Sequence, residues 1–207
     1  MKKRTQILFV FIFLFLFSPL FAGEKALVTG VIDGDTIVIS SGRHVRYLSI
    51  DTPEKGKDGA PDEFLAREAY EYNRRLVLKK EVRLEYGPEK EDKFERRLAY
   101  VLLENGLCVN AELLRKGLAY VLYQGPQMER FEEFLAIQRE AIKEKRGIWV
   151  QALEESCPDY RGHRFTRKFH RPDCPLGQKI ARKNLIRLAA KKEAFEAGYS
   201  PCRTCKP

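Results

Sequence analysis

At 207 residues, with 44% hydrophobic and 32% charged residues, the chain has room for one ordinary domain and a small second one, and its composition excludes a disordered polymer. Its formal charge of +9 points to polyanionic partners, but the charge is uneven. Residues 159–207 carry 13 Lys and Arg against 4 Asp and Glu, whereas the acids outnumber the bases over 23–158. The centre must therefore attract an anion through placed groups, not through its net field.

Residues 1–22 have the pattern of a secretory signal peptide. Lys2, Lys3 and Arg4 form the positive start, Ile7 to Phe17 is an unbroken apolar run, and Ser18-Pro19 breaks it ahead of a small residue, Ala22, suited to cleavage. The expectation is an exported protein, secreted or periplasmic. If the segment is not cleaved, residues 7–22 anchor the chain to a membrane. No later apolar run approaches the roughly 20 residues needed to span a bilayer.

From Lys25 to Ile39 and from Val45 to Ile50 the pattern is that of a hairpin, turning at Ser41-Gly42 and leading into a loop at Asp51-Thr52-Pro53-Glu54. Asp62 is the expected N-cap of a helix running to Leu78, striped by Phe64, Leu65, Ala69, Tyr72 and Leu76. Strands follow over 81–86 and 97–103, with Asn105-Gly106 as the tight turn. Asn110 is the expected cap of a short helix ended by Gly117. A strand is expected over 118–123, and a long helix from Met128 to Lys145 stopped by Gly147. This order suits a small antiparallel barrel with helices packed on it better than a parallel sheet. The composition changes after Trp149, which divides the chain into a domain over 23–150, a linker over 151–160 and a basic tail over 161–207.

Four short segments of the central domain carry chemistry. They are Asp33-Gly34-Asp35-Thr36, Arg46, Asp51-Thr52-Pro53-Glu54, and Arg96 followed by Arg97-Leu98-Ala99-Tyr100. Hydrolysis of a phosphodiester needs a hard cation held by oxygen, a base for water, and cations against the developing charge. Asp35 and Asp51 offer the metal ligands, Glu54 the base, and Arg46 and Arg96 the forks onto phosphate oxygens. Singly, each is as well explained by a turn, a helix entry or a solvated strand arginine. Their order and spacing together carry the argument.

The segments VIDGDTI, VRYLSIDTPE, EDKFERRLAY and KEKRGIW, in that order, resemble the staphylococcal nuclease family over about residues 25–149. The resemblance implies a five-stranded OB-fold barrel with three helices, an α+β class. It also implies Ca²⁺ held by Asp35, Asp51 and the backbone carbonyl of Thr52, with Glu54, Arg46 and Arg96 catalytic. The implied reaction is hydrolysis of DNA or RNA at the 5′ P–O bond, leaving 3′-phosphate ends. Tyr123 matches a tyrosine that packs by the nucleotide base, though it equally suits a core strand position. Two departures stand out: the family's lysine-rich loop is reduced to Lys55-Gly56-Lys57-Asp58, and Phe94 replaces a phosphate-side tyrosine.

In the tail, His170 and Cys174 with Cys202 and Cys205 form an H-x3-C…C-x2-C arrangement, the donor number and type of a structural Zn²⁺ site. A tail of roughly 45 residues has too little core to hold itself without such a staple. The string FHRPDCP…AFEAGYSPCRTCKP resembles the metal-binding domain of the bacterial Ada methyltransferase over about 162–207. His170 stands where that family has its methyl-accepting cysteine, so the resemblance implies a Cys3His zinc site without alkyl transfer. Cys108 has the setting of a buried apolar filler, and Cys157 has no evident partner. The favoured reading is an exported nuclease whose basic, zinc-stapled tail holds nucleic acid, with DNA or RNA as substrate and no protein partner. The alternatives are a non-catalytic nucleic-acid-binding OB module and an envelope-anchored nuclease.

Overall fold

A computed structural model describes residues 23–56, 58–154, 157 and 159–207. The signal-peptide segment, Lys57 of the shortened lysine loop, and 155, 156 and 158 of the expected linker lie outside the described residues.

Alternation of apolar and polar residues places one side of each early strand inside. β1 (Glu24–Val31) turns in Ala26 and Val28, β2 (Thr36–Ile39) turns in Ile37 and Ile39, and β3 (His44–Tyr47) turns in Val45 and Tyr47. The expected strand over 45–50 breaks after Tyr47, because Ser49 takes a left-handed conformation with φ 67°. It resumes as β4 (Ile50–Asp51). Next come α1 (Ala66–Val77), β5 (Glu81–Glu91), β6 (Arg97–Leu103), α2 (Val109–Arg115), β7 (Tyr120–Val121), α3 (Phe131–Lys143) and the short α4 (Trp149–Ala152). The sheet order β1-β2-β3-β6-β5 closes into a barrel through the β1–β5 pairing. Its ladders are antiparallel except β3–β6. This is the expected five-stranded OB-type barrel carrying three main helices.

Three expected helix starts shift. Asp62 does not cap α1: its carboxylate accepts the backbone N–H of Gly56 at 2.8 Å, and the chain enters the helix through Leu65 at φ 63°. Asn110 does not cap α2 but lies inside it, fully buried, accepting from Val101 N at 3.0 Å and donating to the Leu48 carbonyl at 2.9 Å. Such a buried amide is tolerated because its hydrogen bonds are made. The third helix starts at Phe131, not Met128, after the Gly125-Pro126 turn. The strand expected over 118–123 is only two residues long. Gly117 and Gly147, both expected as helix stops, also face each other. A β-carbon on Gly117 would lie 2.1 Å from the Arg146 carbonyl oxygen, and both residues have positive φ.

In the tail, β8 (Tyr160–His163), β9 (Lys168–His170), α5 (Pro175–Gln178), β10 (Leu185–Leu188), α6 (Lys191–Glu196) and β11 (Ser200–Pro201) form a four-stranded sheet ordered β10-β8-β9-β11, with two short helices. The tail is packed onto the barrel's helices. Ala141, Ile142, Ile148 and Trp149 share one apolar cluster with Tyr160, Phe169, Leu188 and Phe195. Gln138, fully buried in α3, donates to the Phe195 carbonyl at 2.6 Å.

Candidate functional site

The acids gather at one end of the barrel. In the β1–β2 turn, the Asp35 N–H donates to Asp33 Oδ1 at 3.0 Å. Gly34 lets that turn close on the end of β4, since a β-carbon there would lie 2.6 Å from Thr52 Oγ1 and 2.9 Å from Ala69 Cβ. Asp35 Oδ2 accepts from Thr52 N at 2.8 Å and from Thr52 Oγ1 at 3.0 Å. The contacts of Thr52 therefore run through its N–H and hydroxyl.

Arg46 faces Thr36 in the β2–β3 ladder, which aims its side chain at the same place. Its guanidinium spans two carboxylates, with Nη1 2.9 Å from Asp35 Oδ2 and Nη2 2.6 Å from Asp51 Oδ1. All three side chains are less than one-tenth exposed. Asp51 Oδ2 also accepts the Tyr120 hydroxyl at 2.8 Å, a contact set by the pairing of Asp51 with Tyr120 between β4 and β7. Glu54 stands beside this group with its side chain 47% exposed.

One arginine does not balance these acids. Burial pushes the Asp35 carboxyl up to about 7 against the pull of Arg46, and the charges of Asp33 and Asp51 add to the rise. Burial, with Asp51 next to it, also raises Glu54 above its ordinary value. On Arg46 burial works against the charge, yet Asp35, Asp51 and Asp33 hold the guanidinium above its ordinary value. A buried, oxygen-only donor set short of positive charge fits a hard divalent cation. Asp35 and Asp51 would hold it.

Arg96 takes a different position. It lies on the β5–β6 turn, where its Nη2 is 2.7 Å from Asp92 Oδ2 and its guanidinium sits 5.5 Å from the exposed Phe94 ring. Among the described residues no contact joins it to the Asp35–Asp51 group. Tyr123 is likewise not brought to the carboxylates. It packs edge-on to Phe131 at 5.4 Å, and the tail's Arg167 covers it at 5.0 Å, so barrel and tail share it as packing.

The tail supplies a residue that the motif reading missed. Arg203 Nη2 lies 2.7 and 2.9 Å from the two oxygens of Asp51 and 3.4 Å from Glu54 Oε1. Next to it Lys206 pairs with Glu63 at 2.9 Å. Barrel and tail thus enclose a cleft of about 520 Å³ whose walls include Asp51, Glu54, Lys55, Tyr120, Arg203 and Lys206. Tyr120 reaches Asp51 through the β4–β7 pairing, across 69 positions of sequence. Nothing local pointed to Arg203, which meets Asp51 from 152 positions away.

Arg203 stands between two ligands of the second expected site. His170, Cys174, Cys202 and Cys205 are all buried, and their ligand atoms lie within 4.8 Å of one another. Burial, with the cationic surroundings of Lys168 and Arg161, depresses His170 and so favours the neutral imidazole that a metal requires. Three sulfurs and one imidazole fit tetrahedral Zn²⁺. Cys157 takes no part, since its thiol reaches the Asp159 carbonyl at 3.2 Å. Cys108 is packed in the barrel core with its thiol 3.0 Å from Arg130 Nη1, and burial raises its pKa.

Comparison with known proteins agrees with this geometry. The family model described as "Staphylococcal nuclease homologue" matches residues 44–151. The chain belongs to the staphylococcal nuclease family. It is 34% identical to the thermonuclease of Staphylococcus hyicus over 125 residues, which cover 59% of this chain and 73% of that protein. It is 36% identical to the thermonuclease of Staphylococcus intermedius over 130 residues, covering 61% and 77%. Endonuclease YncB of Bacillus subtilis is 38% identical over 144 residues, covering 65% of this chain and 68% of that protein. Within this staphylococcal nuclease homologue, residues 151–207 match a second model, "Metal binding domain of Ada". The four-residue His/Cys cluster lies inside that segment.

Proposed function

We propose that this chain is an exported, calcium-dependent nuclease that hydrolyses phosphodiester bonds of DNA, RNA or both. Attack by water at phosphorus breaks the 5′ P–O bond and leaves a 3′-phosphate. The observation that carries the reading is the single guanidinium of Arg46 spanning Asp35 and Asp51 with Glu54 beside it, in a chain of this family. Non-catalytic binding has no use for four carboxylates, Asp33, Asp35, Asp51 and Glu54, gathered around the two guanidiniums of Arg46 and Arg203. When bound at Asp35 and Asp51, Ca²⁺ would supply the charge that stabilises the phosphoryl oxygens. Arg46 presents two N–H groups in one plane to the same oxygens, and Arg96 reaches the substrate from the β5–β6 turn. Glu54, half exposed and raised in pKa, accepts the proton of the attacking water. In the tail, Zn²⁺ on His170, Cys174, Cys202 and Cys205 staples the fold, and the surplus basic residues hold nucleic acid. Export follows from the signal-peptide pattern of residues 1–22.

The test uses the purified full chain on supercoiled plasmid and on single-stranded RNA, each with Ca²⁺ and with excess calcium chelator. Cleavage is expected with Ca²⁺ alone, with 3′ ends that a polymerase extends only after phosphatase treatment. Undiminished cutting in chelator would overturn the calcium reading, and no cutting of either substrate would overturn the nuclease reading.

A further inference from the structure

Asp51 is saturated. A carboxylate offers about four lone-pair positions, two on each oxygen. Oδ1 accepts from Arg46 Nη2 at 2.6 Å and Arg203 Nη2 at 2.7 Å, and Oδ2 accepts from the Tyr120 hydroxyl at 2.8 Å and Arg203 Nη2 at 2.9 Å. A cation can therefore bind Asp51 only by displacing a donor. The three donor groups are not equally easy to displace. The Arg46 side chain is 9% exposed and is tied to Asp35 as well. Tyr120 is held in the β4–β7 pair and packs against Phe195 of the tail at 6.0 Å between rings. The Arg203 side chain is 62% exposed, contacts both oxygens, and has water to move into. Its departure alone frees a position on each oxygen.

Arg203 is also held from behind. It lies between Cys202 and Cys205, so the loop that presents it is the loop that supplies two of the four residues of the His/Cys cluster. The backbone of that loop is further fixed by Cys202 N donating to the Phe169 carbonyl at 2.9 Å and Lys206 N to the Cys202 carbonyl at 2.9 Å. A guanidinium on such a loop faces the barrel without first losing the conformational entropy of a free chain end.

We propose that Arg203 is a built-in competitor for the divalent cation at Asp51, so that the tail sets the cation affinity of the barrel. The proposal rests on the reading of Asp35 and Asp51 as ligands of a divalent cation. Binding of the cation displaces the guanidinium from Asp51 toward solvent and the open cleft, and loss of the guanidinium strengthens cation binding. If the displaced state makes up roughly one part in ten, the competitor weakens apparent affinity about tenfold. A bridge between Arg203 and a substrate phosphate has a different consequence. Removing such a bridge would leave cation binding to the free protein unchanged.

The experiment is calorimetric titration of Ca²⁺ into the full, zinc-loaded chain without nucleic acid, comparing the wild type with Arg203→Ala, Arg203→Gln and Lys206→Ala. Zinc content and circular dichroism of each variant report whether the tail stays folded. Arg203→Ala is expected to tighten Ca²⁺ binding about tenfold, and Arg203→Gln, which keeps a donor but loses the charge, by less. Lys206→Ala leaves the donors of Asp51 in place and should not change the affinity. Unchanged or weaker binding in a zinc-loaded Arg203→Ala protein overturns the proposal, as does equal tightening by Lys206→Ala, which would implicate tail docking in general. If neither the wild type nor Arg203→Ala takes up Ca²⁺, the calcium reading fails along with it. If the wild type binds and the Arg203 variants match it, only the competitor fails.

Discussion

A single guanidinium that joins a carboxylate in the β1–β2 turn to another at the end of β4 has to be planar and rigid. Arg46 meets that need with Nη1 on Asp35 and Nη2 on Asp51. An ammonium is one point of charge on a flexible stem and cannot hold both contacts in that plane. Arg46→Lys should therefore lower kcat on the order of 10²-fold, the usual loss for one preorganised donor at a reacting phosphate or carbonyl. Initial rates of plasmid nicking with Ca²⁺ would check it, and turnover within a few-fold of wild type would remove Arg46 from the chemistry. Asp35 makes a separate prediction about stability. Its carboxyl rises from 3.8 to about 7 on folding, mainly through burial. Between those values the folded chain keeps a proton that the unfolded chain has lost, so stability is highest below the lower value and falls as pH rises toward the upper one. Asp35→Asn has nothing to titrate there and should show a flatter profile. Urea midpoints in calcium-free buffer at about pH 5 and pH 7.5 decide this. A wild-type midpoint no lower at the higher pH, or a slope that Asp35→Asn leaves intact, would refute it.

Among the elements, those governed by local periodicity could be read from the sequence. In β3 and β5 apolar and polar residues alternate, and Val45, Val82 and Leu84 point inward and are buried, whereas β6 is an apolar run buried from Leu98 to Leu102. The stopping glycines 117 and 147 were legible for the same reason, because positive φ is a local demand. What failed was local reading of residues with tertiary roles. Asn110 has the side chain of a cap, yet it is spent joining β6 to the end of β3. Asp62 has the right spacing for a cap, yet it is spent on Gly56. Side chains such as these serve backbone groups wherever the fold brings them, and sequence spacing shows only the nearest. The site divides the same way. Asp35, Arg46, Asp51 and Glu54 were legible because the four sit in two compact motifs that one hairpin and one strand bring together. Tyr120 and Arg203 complete the surroundings of Asp51 through pairing and docking that no short window contains. The His/Cys cluster was legible from its two pairs and their number of ligands. The packing of its domain onto α3 and α4 was not, because Phe195 and Tyr199 serve equally well as the core of a free-standing tail.

At the scale of the whole molecule, that packing changes how the tail can be tested for binding nucleic acid. Cutting the chain near residue 155 would strip the cover from Ile142 and Trp149, both about 2% exposed or less, and from the Trp149–Phe195 edge contact at 4.9 Å. Truncation would then confound weakened binding with a damaged barrel. The tail's basic residues are also not equivalent. Arg203 and Lys206 are paired across the cleft, and Arg167 lies over Tyr123 and Phe131. Arg164, Arg182 and Lys183 are exposed, and the Arg164 N–H donates to the carbonyl of Asn184 at 2.8 Å, which brings the three to one edge beside the exposed Phe165. If this edge holds phosphate, replacing all three with alanine should leave the fold and the cleavage of short oligonucleotides intact while weakening binding to long duplex. The measure is the slope of log affinity against log salt, in Ca²⁺-free buffer so that nothing is cut. Each phosphate that is no longer neutralised should reduce that slope by roughly 0.9 for duplex DNA, so the combined effect of three would be plain above error. The expected outcome is a shallower slope with affinities that converge at high salt. A parallel line of equal slope would mean that these residues keep the surface solvated, and that the tail's effect on the nuclease runs through the cleft alone.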